Sequence, residues 1–496
     1  MNIAHHIERA HQLYPNKPAL VFEHTTYTYR ELDQLVNQVA NSLHELGITI
    51  GDRVALFLPN IPDFIFAYLG IIKLGAIAVS LNVQLQSEEV KFILNDSQAV
   101  AIVVTPELIK HIQRVELPAL QHVLVTDDPS AATASLAALM RNAATAYQAL
   151  DLDRNAPAAI VYSSGTTGFP KGVTLSHSNV VSNMYSKNHY CGMGLDDRLL
   201  LCVPLFHCFG QNAVLNSAIN ACATIVLHRS FNLDSIIKSI HDDRISMFFG
   251  VPTIYVLLLN KVAPEQLRSV RYFFSGAAIM PIEIARRWHE KYDAYIYEGY
   301  GLTETSPFAS YNHPFRYKFG SIGIPIENVE MKIVDVETGD ELGPDAIGEI
   351  VIRGPNVMLG YWNNQPATDQ AIRNGWFHTG DIGKVDQDGD FFIVDRLKDM
   401  INVAGIKVYP AEVENVIYQL PAIAEVAVYG VPDAMTGERV EAKVVLKAGQ
   451  TLTAKEIFAL CRKQIASFKI PTSIEFVDAI PKNATGKVLK RLLRNS

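Results

Sequence analysis

Short apolar, β-rich runs alternate with helix-patterned segments along the first 400 residues of this chain. "DRVALFLP", "VAIVVT" and "HVLVTD" have the composition of buried strands. "TYRELDQLVNQVANSLHELG" carries helical periodicity and opens with Thr28 and Glu31 at capping-box spacing. Strands that alternate with helices form βαβ units, whose helices cover both faces of a largely parallel sheet. The pattern changes near position 390. "DFFIVDR" reads as a strand ending in charges. Beyond it come a helix at "PAEVENVIYQL", strands at "IAEVAVYG" and "EAKVVLK", a helix at "AKEIFALCRKQI" and a strand at "SIEFVDA". The expected architecture is a large α/β N-terminal domain, residues 1–395, with mixed, largely parallel sheets. A small α+β C-terminal domain, residues 396–496, follows it. The Ala-rich stretch 128–157 is weakly patterned and reads as either a helix or a surface excursion; no repeat period is evident.

Composition narrows the function classes. The chain has 496 residues, 49% of them hydrophobic and 19% charged, so it can bury large cores. A formal net charge of −8 argues against a nucleic-acid partner, yet leaves room for a local basic pocket around a phosphate ligand. The five cysteines form no CxxC pair, which disfavours a disulfide framework or a zinc site and favours a reducing compartment. "FIFAYLGIIKLGAIAV" is interrupted by Lys73 and preceded by Pro59, Pro62 and Asp63. It is expected to be a buried helix followed by a buried strand, with no transmembrane segment. Neither terminus shows an apolar leader or a targeting signal, so the expected location is the cytoplasm.

"VYSSGTTGFPKGVTLSH" spans 161–177 between two strand-like runs. Gly165 and Gly168 permit a tight turn, and Ser163, Ser164, Thr166 and Thr167 line it with hydroxyls. Many weak donors and one cation, Lys171, suit a polyphosphate. The spacing is not that of a Walker A loop, and on its own the stretch could equally be a hairpin turn without a ligand.

Four further stretches bear on that choice: "YEGYGLTET" (297–305), "WFHTGD" (376–381), "VDRLKDMINVAGIKVYPAEVE" (394–414) and "PKNATGKVLK" (481–490). Together with the glycine-hydroxyl loop, in this order and over nearly the whole chain, they resemble the adenylate-forming superfamily. That superfamily contains acyl-CoA synthetases, aryl-CoA ligases, firefly luciferase and amino-acid adenylation domains. The resemblance implies a two-step enzyme. A carboxylate attacks the α-phosphate of ATP to give acyl-AMP and pyrophosphate, and a thiol then displaces AMP. Bringing two anions together requires a site that neutralises charge as it develops.

By the same resemblance, Ser163, Ser164, Gly165, Thr166, Thr167, Gly168 and Lys171 would hold the β- and γ-phosphates. Glu304 would hold Mg²⁺, and Thr303 would contact phosphate. Asp381, assisted by Arg396, would bind the ribose hydroxyls. Tyr300 would stack on adenine, in a slot of Gly276, Ala277, Ala278, Glu298 and Gly299. Lys487 would bridge the acid's carboxylate and the α-phosphate during adenylation. Because Lys487 belongs to the small domain, catalysis would need that domain to be mobile, turning about a hinge at Lys398. It would then present Ala404 and Gly405 to the thiol tunnel. Ala404 stands where many relatives carry Gly or Lys, which leaves the acceptor open between CoA and the phosphopantetheine arm of an acyl carrier protein.

"PLFHCFGQNAV" (204–214) matches the family segment beside the substrate. His207 is its candidate gate, with Phe206, Phe209, Val251, Ser275, Gly301 and Leu302 as candidate walls. No Asp or Glu occurs between Leu205 and Thr224 to pair a substrate ammonium, which disfavours an amino acid and favours a fatty or other apolar carboxylic acid. The expected activity is an AMP-forming carboxylic acid–CoA ligase acting on a medium- or long-chain acid. Two alternatives stand beside it: an adenylating ligase that loads an acyl carrier protein, and a non-catalytic ATP-binding module. No G-x-S-x-G elbow or H-E-x-x-H helix supports hydrolase chemistry. The oligomeric state is left open.

Overall fold

The computed structural model describes residues 1–113, 115–126, 134–163, 170–397, 399–404, 406–433, 435–483 and 486–493. Two large sheets organise the N-terminal part. One runs Gly360–Tyr361, Lys171–Ser176, Pro157–Ser163, Ile77–Ser80, Arg53–Phe57, Ala101–Val104, His122–Val125 and Ala134–Ser135. The strands between Pro157–Ser163 and Ala134–Ser135 pair in parallel, while Lys171–Ser176 returns as an antiparallel hairpin. The other sheet has a parallel centre containing Arg198–Leu201, Met247–Gly250, Tyr272–Ser275 and Ile296–Tyr300. Ser163, Ser275 and Tyr300 are the last residues of their strands. The candidate site thus lies at carboxyl ends of strands, where open α/β sheets bind ligands.

The expected local signals are realised. Thr28 and Glu31 close a reciprocal box: the Thr28 amide donates to Glu31 Oε2 at 2.8 Å, and the Glu31 amide donates to Thr28 Oγ1 at 3.2 Å. The apolar run forms the buried helix Pro62–Leu74 and the buried strand Ile77–Ser80. Among the described residues no helix is long and apolar enough to cross a membrane. One apolar cluster draws on both sheets and on the helices Tyr29–Glu45, Pro62–Leu74 and His177–Cys191, so the two sheets share a core. All five cysteines are free and buried. The Ala-rich stretch contributes the helix Leu136–Asn142.

The strand–helix alternation ends earlier than expected. From 330 to 396 the chain builds an antiparallel sheet of Glu330–Val334, Gly348–Arg353, Trp376–Val385, Ile372–Arg373 and Phe391–Arg396. Gly339, Gly375 and Gly389 turn this stretch with φ of 78°, 78° and 85°. Such left-handed turns favour hairpins over crossover helices. Beyond it, Ile401–Val403, Ile406–Val408, Ile423–Asp433, Gly437–Leu446 and Ser473–Phe476 form a separate sheet. The helices Pro410–Ile417 and Ala454–Gln464 pack on that sheet around an apolar cluster of its own. This is the small α+β C-terminal domain on a large N-terminal α/β domain.

Candidate active site

Ser163 and Lys171 face each other across the hairpin, at the ends of its two strands. Ser164, Gly165, Thr166, Thr167 and Gly168 lie outside the described residues. The Lys171 ammonium sits 4.8 Å from the centre of the Tyr361 ring, a cation–π contact. Tyr361 is held there because Gly360–Tyr361 pairs with Lys171–Ser176. Its hydroxyl donates to Glu304 Oε1 at 3.0 Å. Glu304 is 8% exposed, and burial raises its carboxyl above the usual range. Tyr361 therefore joins the hairpin cation to the buried acid. Tyr361 is not among the residues expected from the sequence, and nothing in its local sequence distinguishes it from a packing aromatic.

"YEGYGLTET" is a strand, Ile296–Tyr300, that breaks into a turn at Thr303–Thr305. The break needs Gly301: a Cβ there would lie 1.8 Å from the Pro307 carbonyl oxygen. Leu302 starts the turn, its amide donating to Thr305 Oγ1 at 2.9 Å. Thr303 Oγ1 lies 3.4 Å from Cys208 Sγ, next to His207. The Tyr300 hydroxyl donates to Asp381 Oδ2 at 2.8 Å, while Arg396 Nε lies 3.1 Å from Asp381 Oδ1. Arg396 reaches Asp381 because the two are cross-strand partners. The Asp381 charge, in turn, raises the Arg396 pKa. Tyr300, expected as a stacking ring, is thus tied through its hydroxyl to the candidate ribose carboxylate. Gly276, Ala277 and Ala278 leave the end of Tyr272–Ser275, with Ala277 and Ala278 exposed. Glu298 pairs in register with Ser275, and Gly299 follows it. Burial pushes the Glu298 carboxyl up to about 8, against an opposing hydrogen bond from the Met280 backbone.

The C-terminal domain delivers Lys487 to this site. A short hairpin carries it: the Asn483 amide donates to the Lys487 carbonyl at 2.9 Å, and the Lys487 amide donates to Asn483 Oδ1 at 2.9 Å. Gly486, with φ +78°, lies so close to the large domain that a Cβ would come within 3.1 Å of Val251 Cγ2 and 3.2 Å of Thr253 Oγ1. Opposite is His207, whose Nδ1 accepts from the Phe209 amide at 3.2 Å. Burial first, and the Lys487 charge second, lower the His207 pKa to about 4, so its ring is neutral at pH 7. Lys398 and Gly405 lie outside the described residues; Ala404 sits at a tight turn with φ +51°.

Beside His207, the Phe209, Phe274 and Phe308 rings meet with centroids 5.9, 6.2 and 5.2 Å apart. Val251 and Phe206 are buried nearby in the same apolar cluster. The buried Ser275 hydroxyl has no hydrogen-bond partner among the described residues. The arrangement gathers a hydroxyl- and lysine-bearing hairpin, a buried acid, an Asp–Arg–Tyr cluster and a second lysine around an apolar wall. It suits a ligand that combines phosphates with an apolar carboxylic acid.

A family model described as AMP-binding enzyme matches residues 7–362, and one described as AMP-binding enzyme C-terminal domain matches residues 412–487. A long-chain-fatty-acid–CoA ligase of Escherichia coli O157:H7 is 35% identical over 519 residues, covering 97% of this chain and 92% of that protein. A feruloyl-CoA synthase of Amycolatopsis sp is 34% identical, covering 98% of this chain and 97% of that protein. The crystal structure of the anthranilate CoA ligase AuaEII in complex with anthranoyl-AMP matches with a TM-score of 0.94 at 31% identity, over 100% of this chain and 97% of that one. With both family models matched in order and such relatives aligned along nearly its full length, the chain belongs to the AMP-binding enzyme family and is an ATP-dependent, AMP-forming acid–CoA ligase.

Proposed function

We propose that this ligase activates a medium- or long-chain fatty acid, or another apolar acid, as its acyl-adenylate and passes the acyl group to CoA. The observation that carries the reading is the close approach of Gly486, next to Lys487, to Val251 and Thr253, with the Lys487 charge acting on the neutral His207 beside the wall of Phe209, Phe274 and Phe308. A cation is thereby available where an apolar acid's carboxylate and the α-phosphate would meet.

In this reading the hairpin of Ser163, Ser164, Thr166, Thr167 and Lys171 binds the β- and γ-phosphates. Asp381 and Arg396 take the ribose, while Tyr300 holds Asp381 through its hydroxyl and stacks on adenine with its ring. The slot of Gly276 to Ala278, Glu298 and Gly299 takes adenine. Glu304 fits Mg²⁺: it is one buried carboxylate beside the phosphate hairpin, and magnesium sites use one or two carboxylates plus substrate phosphate. Bound there, the ion supplies charge neutralisation on the phosphates. Lys487 orients the carboxylate for attack and stabilises the charge that develops on the α-phosphate. The apolar wall and His207, with Val251, Ser275, Gly301 and Leu302, exclude water from the reacting carboxyl.

The domain boundary falls at the end of the strand Phe391–Arg396, beside the expected 395/396. Lys398 serves as the hinge that withdraws Lys487 and brings Ala404 and Gly405 to the thiol path. Five free, buried cysteines support a reducing, cytoplasmic location.

The test incubates the protein with ATP, Mg²⁺ and a ladder of fatty, aromatic and amino acids, with and without CoA. Mass spectrometry follows AMP, acyl-AMP and acyl-CoA. Acid-dependent AMP with acyl-CoA is expected, and best for apolar acids. Acyl-AMP that accumulates and ignores CoA would shift the acceptor to a carrier protein. The absence of AMP with every acid would defeat the reading. Lys487→Ala is expected to abolish acyl-AMP formation and largely spare thiolation of supplied acyl-AMP, whereas equal loss of both steps would defeat the two-conformation scheme.

A further inference from the structure

The helix His177–Cys191 carries Asn183, Lys187 and Cys191 four residues apart, on one face. Asn183 marks where that face points: its Nδ2 donates to the Phe308 carbonyl at 2.6 Å and to the Thr305 carbonyl at 3.3 Å. One turn further along, Lys187 is 0% exposed, and its ammonium has no hydrogen-bond partner among the described residues. It lies 4.2 Å from the centre of the Phe249 ring. Phe249 is 5.8 Å from Phe274, itself part of the aromatic wall beside His207.

Two further donors lie at the same place. The Tyr272 and Tyr311 rings lie 6.4 and 5.2 Å from Phe274, and both hydroxyls are buried without a partner among the described residues. Phe249, the ring beside the Lys187 ammonium, also lies 6.3 Å from the Tyr272 ring, which keeps these groups in one neighbourhood. Asp197, the acid that also acts on Lys187, is already held by Arg271 at 2.7 Å and by Ser246 at 2.7 Å.

Burying an ammonium costs more than a single cation–π contact returns. A ligand oxygen would supply the remainder. Burial lowers the Lys187 pKa to about 8, which leaves the charged form predominant at pH 7.

We propose that Lys187 is a specificity-determining residue at the inner end of the acid pocket. With the Tyr272 and Tyr311 hydroxyls, its ammonium takes an oxygen acceptor on the end of the substrate distal from the reacting carboxyl. The inference rests on the acid-activating function proposed for this site and narrows the acid to one with an apolar or aromatic body and a distal hydroxyl or carboxylate oxygen. A distal ammonium is excluded by like charge.

Matched acids test it: cinnamic against 4-hydroxycinnamic acid, and octanoic against octanedioic acid, with AMP formation as the readout. The wild type is expected to favour the oxygen-bearing member of at least one pair by about tenfold or more in kcat/KM. In Lys187→Met that ratio falls to near one, chiefly through a rise in KM for the oxygen-bearing acid. A wild type without preference in either pair overturns the proposal. So does a Lys187→Met variant that loses both members equally. If Lys187→Met fails to fold, the wild-type ratios and their change in Tyr311→Phe decide. AMP from plain acids without any ratio overturns this proposal alone, while no AMP from any acid overturns the acid-activating function as well.

Discussion

Lys73 and Lys187 are both fully buried, on helices that pack into the same core, yet the chain treats them differently. Lys73 Nζ lies 2.8 Å from Asp33 Oδ1, 2.5 Å from Asn37 Oδ1 and 3.2 Å from Glu8 Oε1. His11 adds a contact of 2.9 Å to the other Asp33 oxygen. Three helices thus close a network in which the cation and its acids offset one another. Lys187 meets a ring and no acceptor. The contrast teaches what burial alone cannot. A cation whose counter-charges come from the chain is part of the scaffold, and one without them has been kept for a group the chain does not supply.

The largest effect is expected at the matched lysine. Lys73→Met leaves Asp33 and Glu8 without their cation and should cost about 3–5 kcal/mol in urea unfolding. A loss below about 1 kcal/mol would erase the contrast. Glu298 offers an intermediate case of the opposite sign, a buried acid with Oε1 unpartnered among the described residues. Its folded pKa of about 8 lies above the ordinary carboxylate value, so the folded state binds the extra proton. Stability from this group is full below the unfolded pKa and falls as pH rises toward 8. The slope approaches about 1.4 kcal/mol per pH unit. Glu298→Gln should flatten that part of the stability profile, and an unchanged slope would assign the decline to other groups. The smallest effect is expected at the unmatched lysine. Lys187→Met should change stability by less than about 1 kcal/mol or raise it, because it removes an unpaired buried charge. A loss as large as that of Lys73→Met would make Lys187 a structural residue.

The site was legible where chemistry is local. The Thr28–Glu31 box and the helix at Pro410–Ile417 each depend on residues a few positions apart, and each took its expected form; the strands on either side of the glycine-hydroxyl loop pair as a hairpin, while 164–168 lie outside the described residues. The antiparallel sheet of 330–396 was hidden, because its hairpins turn at single glycines while its strands look like those of a parallel sheet. Tyr361 was hidden for another reason. Its contacts to Lys171 and Glu304 exist only because a two-residue strand docks beside the hairpin.

Sequence by itself determined the family, the order of the motifs and the two-part architecture, since side-chain type, periodicity and turn chemistry act over short spans. Tertiary structure alone decided what each lysine meets: Lys487 acts on the neutral His207, Lys73 pairs with Asp33, and Lys187 has a ring beside it but no hydrogen-bond partner among the described residues. In a string of letters a lysine reads as solvated. What it becomes depends on solvent exclusion and on neighbours brought in from distant strands and helices, and packing sets both.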